Sequence, residues 1–259
     1  KTVEVPVNNQ APQIAKAKAL LAEAKKPLLY IGGGVAMAGA EASLRQFIQK
    51  TRILAVWTLK AKGSVDYRDE LDLGMLGMHG TPASNFAVQE CDLLIVLGAR
   101  FDDRATGKLS TFAPHAKVIH GDIDVAEIGK LRKVDVALDE QFAVYLPELV
   151  QELAIDEWRE HCANMKLKYP ERYDAPGEKV FAPEMLRKLS LAGGDKAIVC
   201  SDVGQHQMWV AQHFQVTRAN AHLSSGGLGT MGYGLPAAIG AHYADPDACV
   251  ICVSGDGGI

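Results

Sequence analysis

The sequence predicts an α/β fold built from two parallel-sheet domains with helices on both faces. Three observations carry this expectation. Leu28-Leu29-Tyr30-Ile31, Asp92 to Leu97, Ala197 to Cys200 and Cys249 to Val253 are short, dominantly apolar runs, as strands buried on both faces require. Segments with apolar residues at helical spacing separate these runs. Glycines then close several of them, at Gly32-Gly33-Gly34, Gly98 and Gly255. Right-handed crossovers would place the strand C-terminal ends along one edge, where ligands bind.

Taken in order, Pro12 to Ala24 reads as a helix with Ile14, Ala17, Leu21 and Ala24 on one face. The strand at Leu28 follows. Ala40 to Lys50 is a second helix, presenting Leu44, Phe47 and Ile48, and Ile53 to Trp57 is the next strand. Pro82 to Gln89 is helical, and Asp92 to Leu97 is the strongest strand. Lys117 to His120 and Val134 to Leu138 are further strands with a helix from Val125 between them. A helix from Phe142 to Leu153 closes a first domain over 1–153. Residues 154–179 are polar and contain Pro170 and Pro176, so they read as an interdomain linker with some helix around Trp158 to Lys168. Residues 180–259 resume the rhythm: helix Pro183 to Leu191, strand Ala197 to Cys200, helix Leu235 to Tyr243, strand Cys249 to Val253.

Composition narrows the function classes. Of 259 residues, 48% are apolar and 22% charged, ordinary values for a globular protein. A net charge of −4 gives no basic face for nucleic acid. No apolar run reaches the roughly 20 residues of a membrane span. Five cysteines at 91, 162, 200, 249 and 252 form no framework, which fits a reducing, cytoplasmic compartment. Cys249 and Cys252 have redox-motif spacing, but residues three apart on a strand point to opposite faces. The abrupt ends, Lys1-Thr2-Val3 and Gly258-Ile259, suggest an internal piece of a longer polypeptide.

Three corners could carry chemistry. Gly255-Asp256-Gly257 follows a strand and offers one carboxylate to a hard cation, with amides free to approach a phosphate. Alone it better suits a simple turn with Asp and Gly. Ser224 to Ala238 joins a glycine cluster to a helix entrance, a favourable place for negative charge. Val203-Gly204-Gln205-His206 lies where a strand feeds a helix. Singly, Met231 would suit a core and His206 a solvated helix face. Three such corners on one edge suggest half of a magnesium–diphosphate site, with its other half beyond Ile259.

Gly255-Asp256-Gly257 opens the Gly-Asp-Gly signature of thiamine-diphosphate enzymes. Asp202 to Trp209, with Ser225 to Gly232, resembles the large catalytic subunit of acetolactate synthase, and bacterial forms are closest. Tyr30 to Gly34, Thr58 to Lys60, Gly74 to Gly80, Gly98 to Arg104 and Asp122 to Asp124 resemble that family's flavin-binding segments.

The resemblance implies a central FAD-binding domain and the first part of a thiamine-diphosphate domain. FAD would meet Gly33, Gly34, Thr58, Leu59, Gly77, Met78, His79, Gly98, Arg100, Asp102, Arg104, Asp122 and Ile123. Arg100 and Arg104 suit a pyrophosphate, although an ion pair with Asp102 or Asp103 is an equal reading. Thiamine diphosphate would meet Val203, Gly204, Gln205, His206, Gly229, Met231, Gly257 and Gly258, and Asp256 would ligate Mg2+. The implied reaction condenses pyruvate with pyruvate or 2-oxobutanoate, giving 2-acetolactate or 2-aceto-2-hydroxybutyrate for isoleucine and valine biosynthesis. A homodimer or tetramer, with a small regulatory subunit, is implied as well.

No catalytic residue is expected within these 259 residues, because the glutamate that activates the cofactor belongs to the family's N-terminal domain. The chain alone is therefore expected to be inactive. Gly258 stands where serine is usual, Ala61-Lys62 replaces Gly-Leu, and Asp139-Glu140-Gln141 replaces Gly-Asp. Rival readings are a pyruvate oxidase or glyoxylate carboligase type, or a non-catalytic nucleotide-binding module. Gly32-Gly33-Gly34 lacks the glycine spacing of a plain dinucleotide-binding dehydrogenase.

Overall fold

The computed structural model describes residues 10–139, 141–173 and 180–259. The expectations for Lys1-Thr2-Val3, Glu140 and the linker portion 174–179 with Pro176 lie outside the described residues. The strands are β1 Pro27–Ile31, β2 Leu54–Trp57, β3 Asp72–Met75, β4 Leu93–Leu97, β5 Lys117–Gly121, β6 Val136–Leu138, β7 Ala197–Ser201, β8 His222–Ser224 and β9 Cys249–Val253. The helices are α1 Ala11–Glu23, α2 Gly34–Met37, α3 Glu41–Thr51, α4 Pro82–Glu90, α5 Asp103–Thr106, α6 Phe142–Tyr145, α7 Asp156–Lys168, α8 Ala182–Gly193, α9 Gln205–His213 and α10 Gly234–Ala244.

The first sheet has six parallel strands in the order β3-β2-β1-β4-β5-β6. Every residue of β1, β2 and β4 is buried, so their dense Leu, Ile and Val content follows from having two covered faces. Strand order reverses between β1 and β4. That crevice is closed by backbone rather than left open. Gly32 N donates to Leu97 O at 2.8 Å and Gly34 N to Gly98 O at 3.0 Å. A Cβ on Gly32 would stand 2.0 Å from Gly98 O.

The second sheet is β8-β7-β9, also parallel. Alternation along β7 explains its two covered faces. Ala197 and Val199 pack with Leu186 of α8 and Val210 and Phe214, while Ile198 and Cys200 pack with Ala238 and Ala241 of α10. Cys249 and Cys252 are free and exposed on β9.

Several expectations needed correction. β3 contains Gly74 at φ 95° and pairs with β2 across a register shift, so its pattern is too short and irregular to read as a strand. β8 is three residues of mixed polarity. The helix expected from Val125 is a single 3-10 turn, Val125–Glu127, followed closely by Gly129 at φ 72°. The helix expected from Phe142 to Leu153 is one α turn followed by the 3-10 turn Leu146–Leu149. Pro147 lacks an N–H and cannot continue an α-helix.

The helix expected within the linker is α7. Its Trp158, Cys162 and Met165 sink into the first core, and Trp158 Nε1 donates to Pro27 O at 3.1 Å. Side chains of the first sheet's layer reach carbonyls of the second. Arg45 Nη2 donates to Thr217 O at 2.7 Å, Lys60 Nζ to Ser224 O at 3.0 Å and Lys62 Nζ to Ala211 O at 2.7 Å.

Gly32→Ala tests the closed crevice. The added methyl overlaps backbone that cannot yield without moving β1 or β4. The variant should lose about 3 kcal/mol of stability, measured by chemical denaturation.

Candidate functional site

The apolar run of β7 ends at Ser201 and delivers Asp202 to the C-terminal edge of the second sheet. Asp202 is fully buried. Its backbone N–H donates to Val253 O of β9 at 2.9 Å. Its carboxylate accepts from three amides: Val203 N at 2.7 Å, Gly232 N at 3.0 Å and Gly234 N at 3.0 Å. One residue, through its backbone and its carboxylate, thus joins the ends of β7 and β9, the glycine loop and the entrance of α10. Burial opposes ionisation of Asp202. The amides of Gly234, Val203 and Gly232 outweigh it and hold the carboxyl below the usual range.

The expected cofactor residues gather around this centre. A Cβ on Gly257 would lie 2.7 Å from Met231 Cε, and one on Gly229 would lie 3.8 Å from Val203 Cγ1. His206, in the first turn of α9, sets its ring against Gly204 and Gly255. Its Nε2 is buried and has no hydrogen-bond partner. Gln205 stands exposed beside it at the first position of α9. The helix has no side-chain cap, so the free amides of its first turn remain available. Asp256 opens the 3-10 turn Asp256–Gly258 and is exposed. Met231 is 56% exposed, an unusual place for a thioether that a core would otherwise claim.

These residues fit an anionic cofactor. An orphaned imidazole nitrogen, glycines without side chains and a helix N-terminus converge where a diphosphate could lie. Among the described residues, no group of three or more His, Cys, Asp or Glu could hold a metal. Asp256 could offer a cation one carboxylate, and oxygens of a bound ligand would have to fill most of a magnesium shell. At Gly258, a Cβ would meet Asp202 Cγ at 2.7 Å and Ser254 Oγ at 2.6 Å. The space a serine side chain would need is taken by the Asp202 carboxyl.

Asp202 opens a family-like motif in the sequence but is not among the expected cofactor residues. A charged residue directly after a buried strand and before a glycine corner was the available signal. A buried position that keeps a carboxylate needs donors for both oxygens.

The first sheet's expected residues line the C-terminal ends of its strands but make a different arrangement. Gly33 packs on Lys60, Gly34 on Gly98, and Gly77 on the backbone of Arg104 and Ala105. Met78 N donates to Arg104 O at 2.9 Å, and His79 O accepts from Gln212 Nε2 at 2.8 Å. Arg100 pairs with Asp102 at 3.8 Å, and Asp102 caps Arg104 N. Thr58 and Leu59 lead from β2 into a 3-10 turn. Asp122, before Ile123, accepts from Asp124 N, and burial pushes its pKa up.

Replacing Asp202 with Ala strands the buried amide of Gly234 and removes the acceptor of the more open Val203 and Gly232 amides, and should cost about 2 kcal/mol, measured by urea unfolding at pH 7. The folded pKa of Asp202 lies below the unfolded value. Its stabilisation is therefore complete above about pH 4 and is lost as pH falls through the folded value. The gap between the native protein and Asp202→Ala should shrink in that acid window.

Residues 14–149 match the family model described as the thiamine pyrophosphate enzyme central domain, and residues 202–259 match the C-terminal TPP binding domain. The chain is 53% identical over 256 residues to the acetolactate synthase isozyme 2 large subunit of Escherichia coli K12, covering 99% of this chain and 47% of that protein. It is 47% identical over 253 residues to the acetolactate synthase large subunit of Parasynechococcus marenigrum, covering 95% and 41%. It is 45% identical over 256 residues to that of Corynebacterium glutamicum, again covering 95% and 41%. The chain thus spans less than half the length of these curated relatives. The expectation of a central FAD-binding domain is corrected: the match over 14–149 is to the thiamine pyrophosphate enzyme central domain, and the glycine corners assigned to a flavin pyrophosphate are filled by the chain's own backbone and by Lys60. With the central domain matched over more than half of the chain and the cofactor-binding domain matched where the Asp202 site lies, the chain belongs to the thiamine pyrophosphate enzyme family.

Proposed function

We propose that this chain carries the diphosphate end of the thiamine diphosphate site in an acetolactate synthase. One pyruvate would lose its carboxylate as carbon dioxide. Its two-carbon remainder would join the keto carbon of a second pyruvate or of 2-oxobutanoate, giving 2-acetolactate or 2-aceto-2-hydroxybutyrate. The products would feed branched-chain amino-acid biosynthesis. The observation that carries this reading is the meeting of His206, Met231 and the Gly255-Asp256-Gly257 corner around Asp202, in a chain 53% identical to a synthase large subunit.

When bound, thiamine diphosphate supplies the carbon nucleophile and the electron sink for decarboxylation. The protein's own groups do the holding. Asp256 would give Mg2+ one carboxylate oxygen. The amides of Gly257 and Gly258, with those at the start of α9 beside Gln205, would donate to diphosphate oxygens. His206 Nε2, orphaned and buried, would find its partner there. Val203, Gly204 and Gly229 would leave the backbone close to the ligand, and the exposed Met231 side chain would press against the cofactor's apolar face.

Assembly is part of the same proposal. Leu235, Ile239 and Tyr243 of α10 are exposed at i, i+4 and i+8, an apolar stripe suited to a homodimer or tetramer. A small regulatory subunit and a bacterial cytoplasmic setting belong to the same proposal, the former supported by relatives named as large subunits. No described helix is long and apolar enough to cross a membrane.

The test is acetolactate formation from pyruvate by the full-length protein with thiamine diphosphate and Mg2+. Asp256→Ala should lower kcat/KM by at least about 100-fold, since a catalytic metal ligand supports several kcal/mol of stabilisation. Asp256→Ala at native activity would remove the assignment. Turnover of glyoxylate with none of pyruvate would move the enzyme to a carboligase of another kind.

A further inference from the structure

Lys60 belongs to the first sheet's layer, yet its side chain ends in the second. It leaves the 3-10 turn after β2 and runs between two glycines. A Cβ on Gly33 would be 2.9 Å from Lys60 Cβ, and a Cβ on Gly226 would be 2.5 Å from Lys60 Cδ. Neither neighbour has room for a side chain while the Lys60 stem lies there. At its tip, Nζ donates to Ser224 O at 3.0 Å. The same carbonyl accepts from Gly226 N at 2.9 Å, and Ser224 Oγ accepts from Gln207 Nε2 of α9 at 2.6 Å. Ser225 Oγ then accepts from Thr230 N at 2.9 Å. Ser224 is the last residue of β8, where the glycine loop begins. The loop ends on Asp202 through Gly232 and Gly234. Between these two anchors lie Gly229 and Met231.

We propose that Lys60 is a positioning residue for the thiamine diphosphate site, fixing the near end of the 225–232 loop from the neighbouring sheet, as Asp202 fixes the far end. The inference rests on reading that loop as part of the cofactor site. It makes cofactor affinity in one sheet depend on a side chain of the other. The ammonium is the working part, because it closes onto Ser224 O. The stem is the spacer that Gly33 and Gly226 admit.

The experiment compares Lys60→Met, Lys60→Arg and Gly226→Ala in the full-length protein. Hydrogen exchange reads the amides of 225–232 without cofactor. A thiamine diphosphate titration in Mg2+, followed by tryptophan fluorescence, reads affinity. Lys60→Met should speed loop exchange at least about 10-fold and raise the cofactor Kd by a similar factor, the worth of one charge-assisted hydrogen bond. Its kcat at saturating cofactor should stay within about two-fold and its melting temperature within about 3 °C. Lys60→Arg should restore both readouts. Gly226→Ala, which displaces the stem from the other side, should act like Lys60→Met, and the two should not add. Unchanged loop exchange and Kd in Lys60→Met would overturn the proposal, as would full additivity with Gly226→Ala. Faster exchange in a protein that binds no thiamine diphosphate would keep Lys60 as the loop's anchor and remove the cofactor reading instead.

Discussion

The carboxylate of Asp202 is the constraint on which the second sheet's functional edge depends. It is buried without an ion pair among the described residues and is held by the amides of Val203, Gly232 and Gly234. A buried carboxylate left alone would be strongly unfavourable. Surrounded by amides, it becomes an organiser, because each donor must come to it. Gly234 and Gly258 both crowd it closely enough that a Cβ on either would clash. The glycines at 234 and 258 therefore have a packing reason of their own.

The second constraint is the seam between the two sheets. Arg45, Lys60 and Lys62 each donate across it to a backbone carbonyl. Lys62 is the most buried of the three, with its ammonium 4.9 Å from the Trp57 ring centre. Burial pushes its pKa down to about 8, against the pull of Asp72 and Glu171. Hydrogen bonds from charged donors are stronger than neutral ones and fix direction across the seam. The glycine loop lies against this seam, so its shape answers to both sheets.

Much of the fold was legible because strands buried on both faces must be apolar throughout. β1, β4 and β7 announce themselves in Leu, Ile and Val. β3 and β8 do not, since one carries a glycine at φ 95° beside a register shift and the other is a three-residue strand ending in serine. Glycine corners were the ambiguous signal. Around Gly255 and Gly257 they stand beside a histidine and an exposed methionine. Around Gly32, Gly34 and Gly98 they let two loops touch, and sequence alone does not separate a glycine that admits a ligand from one that admits a neighbouring backbone. The organising role of Asp202 is hidden in the sequence for a related reason. Two of its three partners are the amides of Gly232 and Gly234, distant in sequence, and an amide has no residue type to read. In the sequence Lys62 is only a departure from Gly-Leu, because its partner on α9 is a backbone carbonyl.

The central claim is that the C-terminal edge of β7 and β9 binds thiamine diphosphate through Mg2+. Calorimetric titration of thiamine diphosphate into the full-length protein, with and without Mg2+, tests it most directly. The account predicts saturable binding that requires Mg2+ and weakens at least about 10-fold in His206→Ala, the loss expected for one hydrogen bond to a charged group. Binding that ignores both the metal and the His206 substitution would contradict it.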